Sequence, residues 1–478
     1  MTQHMLMRDV ILYETLVGIV GEGNVSRDEM DRRAYARDQS WLARTWALKG
    51  WDFPLPDIIV WAESTDQVSA VLRAANRFNV PVVPYCGGAG VQGGTLPLYG
   101  GIILDTKKMD EVLALDEHNL TVTTQTGIMY QNLEWWLNQR GYTLPHLPQS
   151  SFCSGIGGFL SARSAGVLST KYGKISSMVR GMEVVLPDGQ VLRTKAVPQS
   201  AAGPDLNYLF QGAEGTLGVI TEATLSIWPL PEERRFRGFT FPDLHSGMEA
   251  ARLIMRRGLR PAAMRLSDEL ETMLFHHQMG CLMVWCFDGF AEMVDLEEGE
   301  AIRICQDQGG TDLGAGPGEH WWKTRYSVAY PTKDSILAGY GPAYPVGTII
   351  DTAGGFDYLE QVHEAMGKAV GKYENTVFLA HFSHWYPTGG MMYPYVYKLG
   401  SDFDETMADQ YFAIQRDAVR VILDLGGTIN HHHGIGLTLA EFMRQEFGDV
   451  GFAVLQGIKR LLDPNNVMNP GKLGFEGR

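Results

Sequence analysis

The chain contains no apolar run approaching the roughly 18 residues that cross a bilayer as a helix, which excludes a helical membrane span. Met1 to Asp9 hold no apolar core of signal-peptide length, and Phe475-Glu476-Gly477-Arg478 carries no lipidation or peroxisomal address; a cytoplasmic location is expected. Cysteine is scarce. Cys86, Cys153, Cys281, Cys286 and Cys305 form no CxxC pair and no Cys/His metal spacing, and an odd, scattered set suggests a reducing compartment. Positive charge is in deficit: 40 Lys and Arg against 55 Asp and Glu leave a net charge of −15. Such a surface repels phosphate backbones, and nucleic acid is not expected as a partner, although a local arginine cluster can still hold a small anion. Internal repeats and low-complexity tracts are absent, which argues against solenoids and tails.

Glycine is abundant. Its 55 residues are about one and a half times the usual share of roughly 7%. Three glycine-rich stretches lie beside apolar strand-like runs: Pro84-Tyr85-Cys86-Gly87-Gly88-Ala89-Gly90-Val91 continuing to Gly94, Ser154-Gly155-Ile156-Gly157-Gly158, and Gly212-Ala213-Glu214-Gly215-Thr216-Leu217-Gly218-Val219-Ile220. Glycine lets backbone approach a ligand and present N–H groups to it, so three such stretches point to one long cofactor held at several places. At 478 residues the chain exceeds what one core serves, and two or more domains are expected.

The pattern predicts α+β structure. Residues 8–50 read as charged helix. Ile58–Trp61 and Val80–Pro84 read as strands flanking a helix that begins at Ser64, and the first glycine loop follows. Ile102–Asp105 and Leu120–Gln125 are strand-like, Tyr130–Arg140 is an amphipathic helix closed by Gly141, and Pro187-Asp188-Gly189 turns a hairpin within 182–192. Pro229–Arg235 reads as a linker. Beyond it, strand and helix patterns recur in ferredoxin-like order, with Gly309–Gly318 as a surface loop, strands over Val377–Phe382 and Met391–Tyr397, and a long helix over Thr406–Leu425.

The first loop does not match GxGxxG and lacks a ribose-binding acidic residue at the Rossmann position, which disfavours a nicotinamide dinucleotide. It is either a pyrophosphate nest or a tight turn. Gly426-Gly427-Thr428-Ile429-Asn430 leads into His431, His432 and His433. On a strand, neighbours alternate faces, so at most His431 and His433 would face one point, as a base beside a cofactor or as solvated side chains. His381 and His384 are three apart, a weak metal spacing on strand or loop. Arg265 and Arg325 are candidates for a bidentate grip on a carboxylate or phosphate, or for structural ion pairs. Trp321, Trp322, Trp385 and Tyr386 make the second half aromatic, which suits a planar substrate.

These motifs resemble the FAD-binding fold shared by vanillyl-alcohol oxidase, p-cresol methylhydroxylase (the PCMH type) and glycolate and D-lactate dehydrogenases. The first loop is similar to that family's pyrophosphate loop, and the second, continuing through Gly166 to Lys171-Tyr172-Gly173-Lys174-Ile175, to its isoalloxazine-side segment. The third is close to its most specific signature, and Asp463-Pro464-Asn465-Asn466-Val467-Met468-Asn469-Pro470-Gly471-Lys472-Leu473 to its closing segment. The resemblance covers residue 54 to the end. Within it, His146-Leu147-Pro148, Ser161-Ala162-Arg163-Ser164-Ala165-Gly166, Met264-Arg265-Leu266-Ser267-Asp268 and the histidine run are most similar to alkyl-dihydroxyacetone-phosphate synthases, which use flavin without net redox change. Gln149 and the segment His381–Gly390 depart from them.

The resemblance implies a two-domain PCMH-type FAD fold with an antiparallel-sheet, ferredoxin-like cap. Residues 1–53 would be an N-terminal helical segment, 54–235 the FAD domain, 236–425 the substrate cap, and 426–478 a segment returning to the flavin. FAD would be held without a covalent bond, since the first loop carries no histidine. Its contacts would come from Pro84 to Val91, Gly94, Pro148, Ser154, Gly157, Gly158, Ser161, Gly166, Tyr172, Glu214, Gly215, Gly218 and Ile220. The expected reaction is oxidation of a hydroxyl-bearing small molecule by hydride transfer to flavin N5. His433 or His431 would be the base, with His432 beside them, and Tyr393 would orient or protonate. Arg265 would hold an anionic group, and Arg325, His381, His384, Trp385 and Tyr395 would line the substrate. No metal is expected, because Tyr393 stands where metal-using relatives carry histidine. The alternatives are a redox-neutral, synthase-like transfer and a flavin-binding subunit of an electron-transfer complex. Oxygen, a quinone or a redox protein would reoxidise the flavin, and a homodimer or hetero-complex is expected.

Overall fold

The structure is a computed structural model that describes residues 3–42, 46, 54–326, 343–344, 350–399 and 405–478. The first sheet has three parallel strands, Ile58–Trp61, Ile102–Asp105 and Val82–Tyr85, with Ile102–Asp105 between the other two, and the short strand Val25–Ser26 adds antiparallel to Ile58–Trp61. Their near-continuous apolar character follows from burial on both faces. The helix Thr65–Phe78 crosses between the first two in sequence. Ser64 caps its start by accepting from the Gln67 amide, and Asn79 ends it in the left-handed region.

A second, antiparallel sheet orders Val112–Asp116, Thr121–Gln125, Val219–Ser226, Val179–Val185 and Val191–Arg193. The helices Tyr130–Asn138 and Ile156–Ala162 pack over it in one apolar cluster. The predicted Pro-Asp-Gly turn joins its last two strands, with the Gly189 amide donating to Leu186 and Leu186 to Gln190.

The third sheet has eight strands. Along its main path run Thr311–Asp312, Glu233–Phe241, Cys281–Gly289, Ala263–Ser267, Thr376–Tyr386, Gly389–Leu399 and Ala343–Tyr344, and Thr352–Gly354 also pairs with Gly389–Leu399. The helices Leu244–Arg256, Ala291–Asp307, Phe356–Val370 and Glu405–Asp424 contribute to one large core with this sheet, in which Trp285, Phe239 and Trp385 are fully buried.

Three local expectations change. The N-terminal segment is not one helix: Gln3–Val20 is followed by a short turn, the two-residue strand Val25–Ser26 and the helix Glu29–Ala34; residues 43–45 and 47–53 lie outside the described residues. The segment read as a linker already pairs in the third sheet from Glu233, because Arg234 and Arg235 lie opposite Asp288 and Phe287. Gly309–Gly318 is not wholly loop: Thr311–Asp312 adds an edge strand and a helix starts at Gly316. Among the described residues no helix is long and apolar enough to cross a membrane.

Candidate active site

The three glycine stretches meet. A Cβ on Gly87 would fall 1.8 Å from the Cys153 carbonyl oxygen, and one on Gly155 2.3 Å from Cys86 Sγ, so the first two loops are in direct contact. On the other side, Gly215 lies against the Pro84 ring, which presses the third loop onto the strand Val82–Tyr85, and Gly218 lies against the Val185 carbonyl of the second sheet. Gly88 adopts a φ of 61°, the left-handed conformation that turns the first loop over Tyr85. Among the described residues, the amides of Gly87, Gly88, Ala89, Gly90 and Val91 donate to no other backbone group. Successive N–H groups left in this way form an anion nest, the donor set that a pyrophosphate requires.

The second loop carries the other sign of an occupant. A Cβ on Gly158 would meet no atom within 4 Å, whereas one on Gly166 would lie 1.3 Å from the His146 carbonyl oxygen. Gly158 therefore fronts open space and Gly166 is a packing residue. Orphan amides in the first loop together with an open glycine face in the second fit a flavin dinucleotide held along both.

The remaining sequence candidates here mostly hold the loops together. Ser154 accepts from the Tyr130 amide, Ser161 from the Glu214 amide, Pro148 from Ser151, and the Gly157 amide donates to Thr126. Ile220 accepts from the Thr126 hydroxyl at 2.6 Å, and Gly94 from Asn469 Nδ2 at 2.9 Å. Tyr85 packs against Tyr35, with the Lys107 ammonium over both rings. Tyr172 donates to Asp288 at 2.8 Å and thus bridges to the cap sheet. Glu214 differs from expectation: its side chain is spent on protein, accepting from Ile435 and, at 2.8 Å, from Gly436. It clamps the turn after the histidines to the third loop, and burial pushes its carboxyl up to about 7 despite those amides. Burial likewise pushes the Cys86 thiol up to about 12, so this cysteine is an inert packing group.

The cap sheet supplies a polar face. His381 lies opposite Ser267 on one side and Tyr393 on the other, so these positions share a face, while Leu266, Phe382 and Met392 point into the core. The His381 ring stacks on Tyr393 at 5.2 Å and leans on Tyr395 at 5.6 Å. Arg265 Nη2 bonds Glu271 Oε1 at 2.6 Å, and His381 Nδ1 is 3.3 Å from the same oxygen. Arg265 Nε is buried without a partner. Burial would raise the Glu271 carboxyl, but the Arg265 guanidinium and His381 hold it far below the carboxylate range.

A register shift between Ser383 and Tyr386 changes the alternation. His384 sits there with φ 50°, its ring stacked on His431 at 5.3 Å and its Nδ1 bonded to Ser169. The displaced parity sends Trp385, expected at the substrate, into the cap core instead. It is fully buried, stacked on Phe356, and its indole N–H donates to the Met264 carbonyl at 3.0 Å. Arg325 is drawn to its own helix: it bonds the Trp322 carbonyl and lies over the Trp322 and Tyr326 rings at 3.9 and 4.3 Å.

The histidine run is not a strand. His431, His432 and His433 form consecutive bends around the carboxylate of Asp351. Asp351 Oδ2 accepts from the His431 and His432 amides at 2.8 and 2.7 Å, while Oδ1 accepts from Asn430 Nδ2 at 2.8 Å and His433 Nδ1 at 2.7 Å. The alternation expected of a strand therefore fails, and neighbouring rings share one side: His432 and His433 centroids are 4.0 Å apart, and His433 lies 5.4 Å from Tyr393. Asp351, His432 and His433 bring ligand atoms within 4.8 Å of one another. His432 Nδ1 also lies 2.9 Å from Oδ2, so the carboxylate gathers both rings, the Asn430 amide and two backbone amides of the run onto itself.

The surroundings keep His431, His432 and His384 neutral. Burial lowers His431 and His384 well below the usual imidazole range and brings His432 to about 4. Burial would raise Asp351, but the His433 and His432 rings outweigh it and hold the group ionised. Lys174, between the second loop and the run, donates to the His431 carbonyl; burial lowers its ammonium to about 8. Burial raises the Tyr393 hydroxyl, which stays a donor.

Sequence reasoning assigned no role to Asp351, Glu271 or Lys174. Asp351 follows the apolar pair Ile349-Ile350, Glu271 sits in an acidic helix start and Lys174 beside Lys171, so the available signal was only that charges are rarely buried without partners.

Comparison with known proteins identifies the family and the fold. Residues 56–195 match the family described as FAD binding domain, and residues 230–473 match FAD linked oxidases, C-terminal domain. The chain is 28% identical to the alkyldihydroxyacetonephosphate synthase of Trypanosoma brucei brucei, over 94% of this chain and 79% of that one. It is 31% identical to the FAD-linked oxidoreductase YgcU of Escherichia coli (strain K12), over 88% and 89%. Glycolate oxidase subunit GlcD of Bacillus subtilis is 26% identical, over 98% and 97%. Among solved structures, an alkyldihydroxyacetonephosphate synthase superposes with a TM-score of 0.80 at 24% identity, covering 96% of this chain and 84% of that one. Substrate-bound p-cresol methylhydroxylase gives 0.78 at 19% identity, covering 99% and 98%, which shows the PCMH-type fold. With both halves of the flavoprotein matched in order, this chain belongs to the FAD-linked oxidase family and binds FAD.

Proposed function

We propose that the chain is an FAD-dependent oxidoreductase acting on a CH–OH group, with a 2-hydroxy acid or an aromatic or alkyl alcohol as substrate. One observation carries the reading: Asp351 fixes Nδ1 of His433 at 2.7 Å, which leaves Nε2 as the basic nitrogen of a carboxylate-oriented imidazole. When bound, FAD supplies the hydride acceptor at ring N5. His433 Nε2 takes the hydroxyl proton, and the imidazolium that forms is stabilised by the ionised Asp351. Tyr393, 5.4 Å away between ring centroids and protonated by virtue of its burial, orients the substrate oxygen. Arg265 offers its unengaged Nε–H to an anionic group on the substrate, while Glu271 holds the other edge of the guanidinium. In this reading residues 54–235 hold the flavin, 236–425 cap it, and 426–478 bring the base back to it.

A second reading, redox-neutral transfer of the synthase type, is favoured by the 28% identity to alkyldihydroxyacetonephosphate synthase over 94% of the chain. Anaerobic mixing of the yellow holoenzyme with 2-hydroxy acids and benzylic alcohols separates the two. Bleaching of the flavin supports oxidation. Ether formation from an acyl-dihydroxyacetone phosphate and a fatty alcohol, with the flavin oxidised at the end, overturns it.

A further inference from the structure

We propose that the outer face of the C-terminal helix is a dimer interface, on which a second copy of this chain packs its own helix antiparallel across a two-fold axis. The helix Met443–Leu462 kinks at Gly448 and runs regularly beyond it. Its inner face is buried through Phe452 and Lys459. Its outer face is apolar and open: Val450 and Leu461 are each 80% exposed and Val454 58%. A Cβ on Gly457, between Val454 and Leu461, would meet no atom within 4 Å. The four positions follow one another at steps of four, three and four residues, the spacing of a coiled-coil seam. Phe447, 49% exposed, and the exposed Pro464 flank the run at its two ends.

The seam is its own complement. Antiparallel pairing about its centre sets Val450 against the partner's Leu461, and Val454 against the partner's Gly457, where the missing side chain leaves a notch for the isopropyl group. Each contact occurs twice, as an isologous two-fold interface requires. Asp449 and Arg460 are eleven residues apart, close to three full turns, and so lie on one flank of the helix. The two-fold therefore brings Asp449, which bonds Arg444 of its own chain at 2.9 Å, beside the partner's Arg460 and adds opposite charge at the rim. The apolar surface left open on this face is on the order of 500 Å² per chain, so two copies would bury about 1,000 Å², the size at which a specific interface begins. A lipid surface fits less well, because a net charge of −15 repels anionic headgroups and a bilayer has no use for a notch.

The other side of the same helix braces the candidate site. Lys459 Nζ donates to the Thr216 carbonyl at 3.0 Å, in the third glycine loop, and to the Met468 carbonyl at 2.8 Å, in the closing segment. Glu446 accepts from Thr428 Oγ1 at 2.7 Å and from the Ile429 amide at 3.1 Å, directly before the histidine run. These contacts lie within one chain and use none of the seam residues. Replacements in the seam therefore leave the cofactor loops in place, and flavin content reports whether a variant is folded.

In sedimentation velocity of the FAD-loaded chain at concentrations from about 1 to about 50 µM, the mass should reach twice 53.0 kDa. Val454→Glu drives a carboxylate into the notch and should halve that mass with flavin content unchanged. Crosslinking tests the register, in a Cys153→Ser background that removes the exposed native thiol. On oxidation, Val450→Cys combined with Leu461→Cys should give a covalent dimer on a non-reducing gel. Neither single replacement should, because like positions lie far apart across the two-fold. If Val454→Glu loses its flavin, the crosslink decides. A parent that stays monomeric at the highest concentration, a dimer that folded Val454→Glu leaves intact, or a double variant that crosslinks no better than the singles overturns the proposal. Cosedimentation of a monomeric parent with phosphatidylcholine vesicles, lost in Val454→Glu, would give the face to a membrane and overturn it as well.

Discussion

His433 Nδ1 and Asp351 Oδ1 are 2.7 Å apart, although 81 residues of chain separate the two positions in sequence. The same carboxylate takes two backbone amides of the histidine run, so Asp351 sets both the fold of the run and the tautomer of its last ring. Asp351→Asn keeps the size and removes the charge. FAD content should stay near that of the parent, while flavin reduction should fall by roughly 10² to 10⁴, the range expected when a base loses the carboxylate that orients it. Asp351→Ala should in addition lower stability by about 3 kcal/mol, because amides that it satisfied are left buried. Flavin absorbance, reduction kinetics and thermal melts check both variants.

The buried histidines make the protein acid-labile. In the unfolded chain an imidazole takes its proton near pH 6.5, whereas folded His432 does so only at about 4 and His146 at about 3. Between those limits the unfolded state binds more protons, so stability rises with pH and is lost on acidification, at up to about 1.4 kcal/mol per pH unit for each histidine. His381, His384 and His431 are lowered in the same direction. Glu214 opposes them: its raised carboxyl, at about 7 against 4.5 unfolded, contributes stability at low pH that is lost as pH rises through 7. Burial raises Asp38, Glu134 and Glu222 in the same sense as Glu214, while Asp351 and Glu271 are held low and add to the acid lability of the histidines. Melting temperature should fall steadily from pH 6.5 to 4, and His432→Asn should flatten that slope.

Two glycines of the second loop separate cofactor contact from packing. Gly158→Ala meets no protein atom, so the apoprotein should fold as well as the parent or gain up to about 1 kcal/mol from helix propensity, while FAD affinity drops. Gly166→Ala puts a methyl into the His146 carbonyl and should abolish folding with or without FAD. Fluorescence titration of apoprotein with FAD, alongside melts, reads both effects. Unchanged FAD affinity in Gly158→Ala would remove that face from the cofactor site.

The cofactor half was legible because close approach leaves a mark in sequence: Gly87, Gly155, Gly215 and Gly218 are glycine where another backbone or ring leaves no room for a side chain. The parallel strands were legible from apolar runs such as Ile58–Trp61. The histidine geometry was not. Alternation holds only for a regular strand, and Asp351, which replaces the strand by bends, is fixed by a long-range contact with no local pattern. Trp385 was misread for a related reason: a bulge at His384 inverts which side of the sheet each residue faces, and a bulge has no signature in a run such as His381-Phe382-Ser383-His384-Trp385. Local propensity reaches the elements, and tertiary pairing decides which of their faces meets the flavin.

The Arg265–Glu271 pair can report the substrate's charge. Glu271 is buried and Arg265 partly so, and removing one leaves the other uncompensated, so Arg265→Met or Glu271→Leu alone should cost about 3 kcal/mol. The double replacement removes both charges and should recover much of that loss, with a coupling energy of up to about 3 kcal/mol in the cycle. A stable double variant then isolates the binding role of Arg265 from its structural one. If the natural substrate is anionic, KM for a 2-hydroxy acid should rise at least 10-fold in the double variant, while KM for a neutral benzylic alcohol stays within about twofold. Equal KM values for the acid in parent and double variant would leave Arg265 as a structural ion-pair member and shift the expected substrate to an uncharged alcohol.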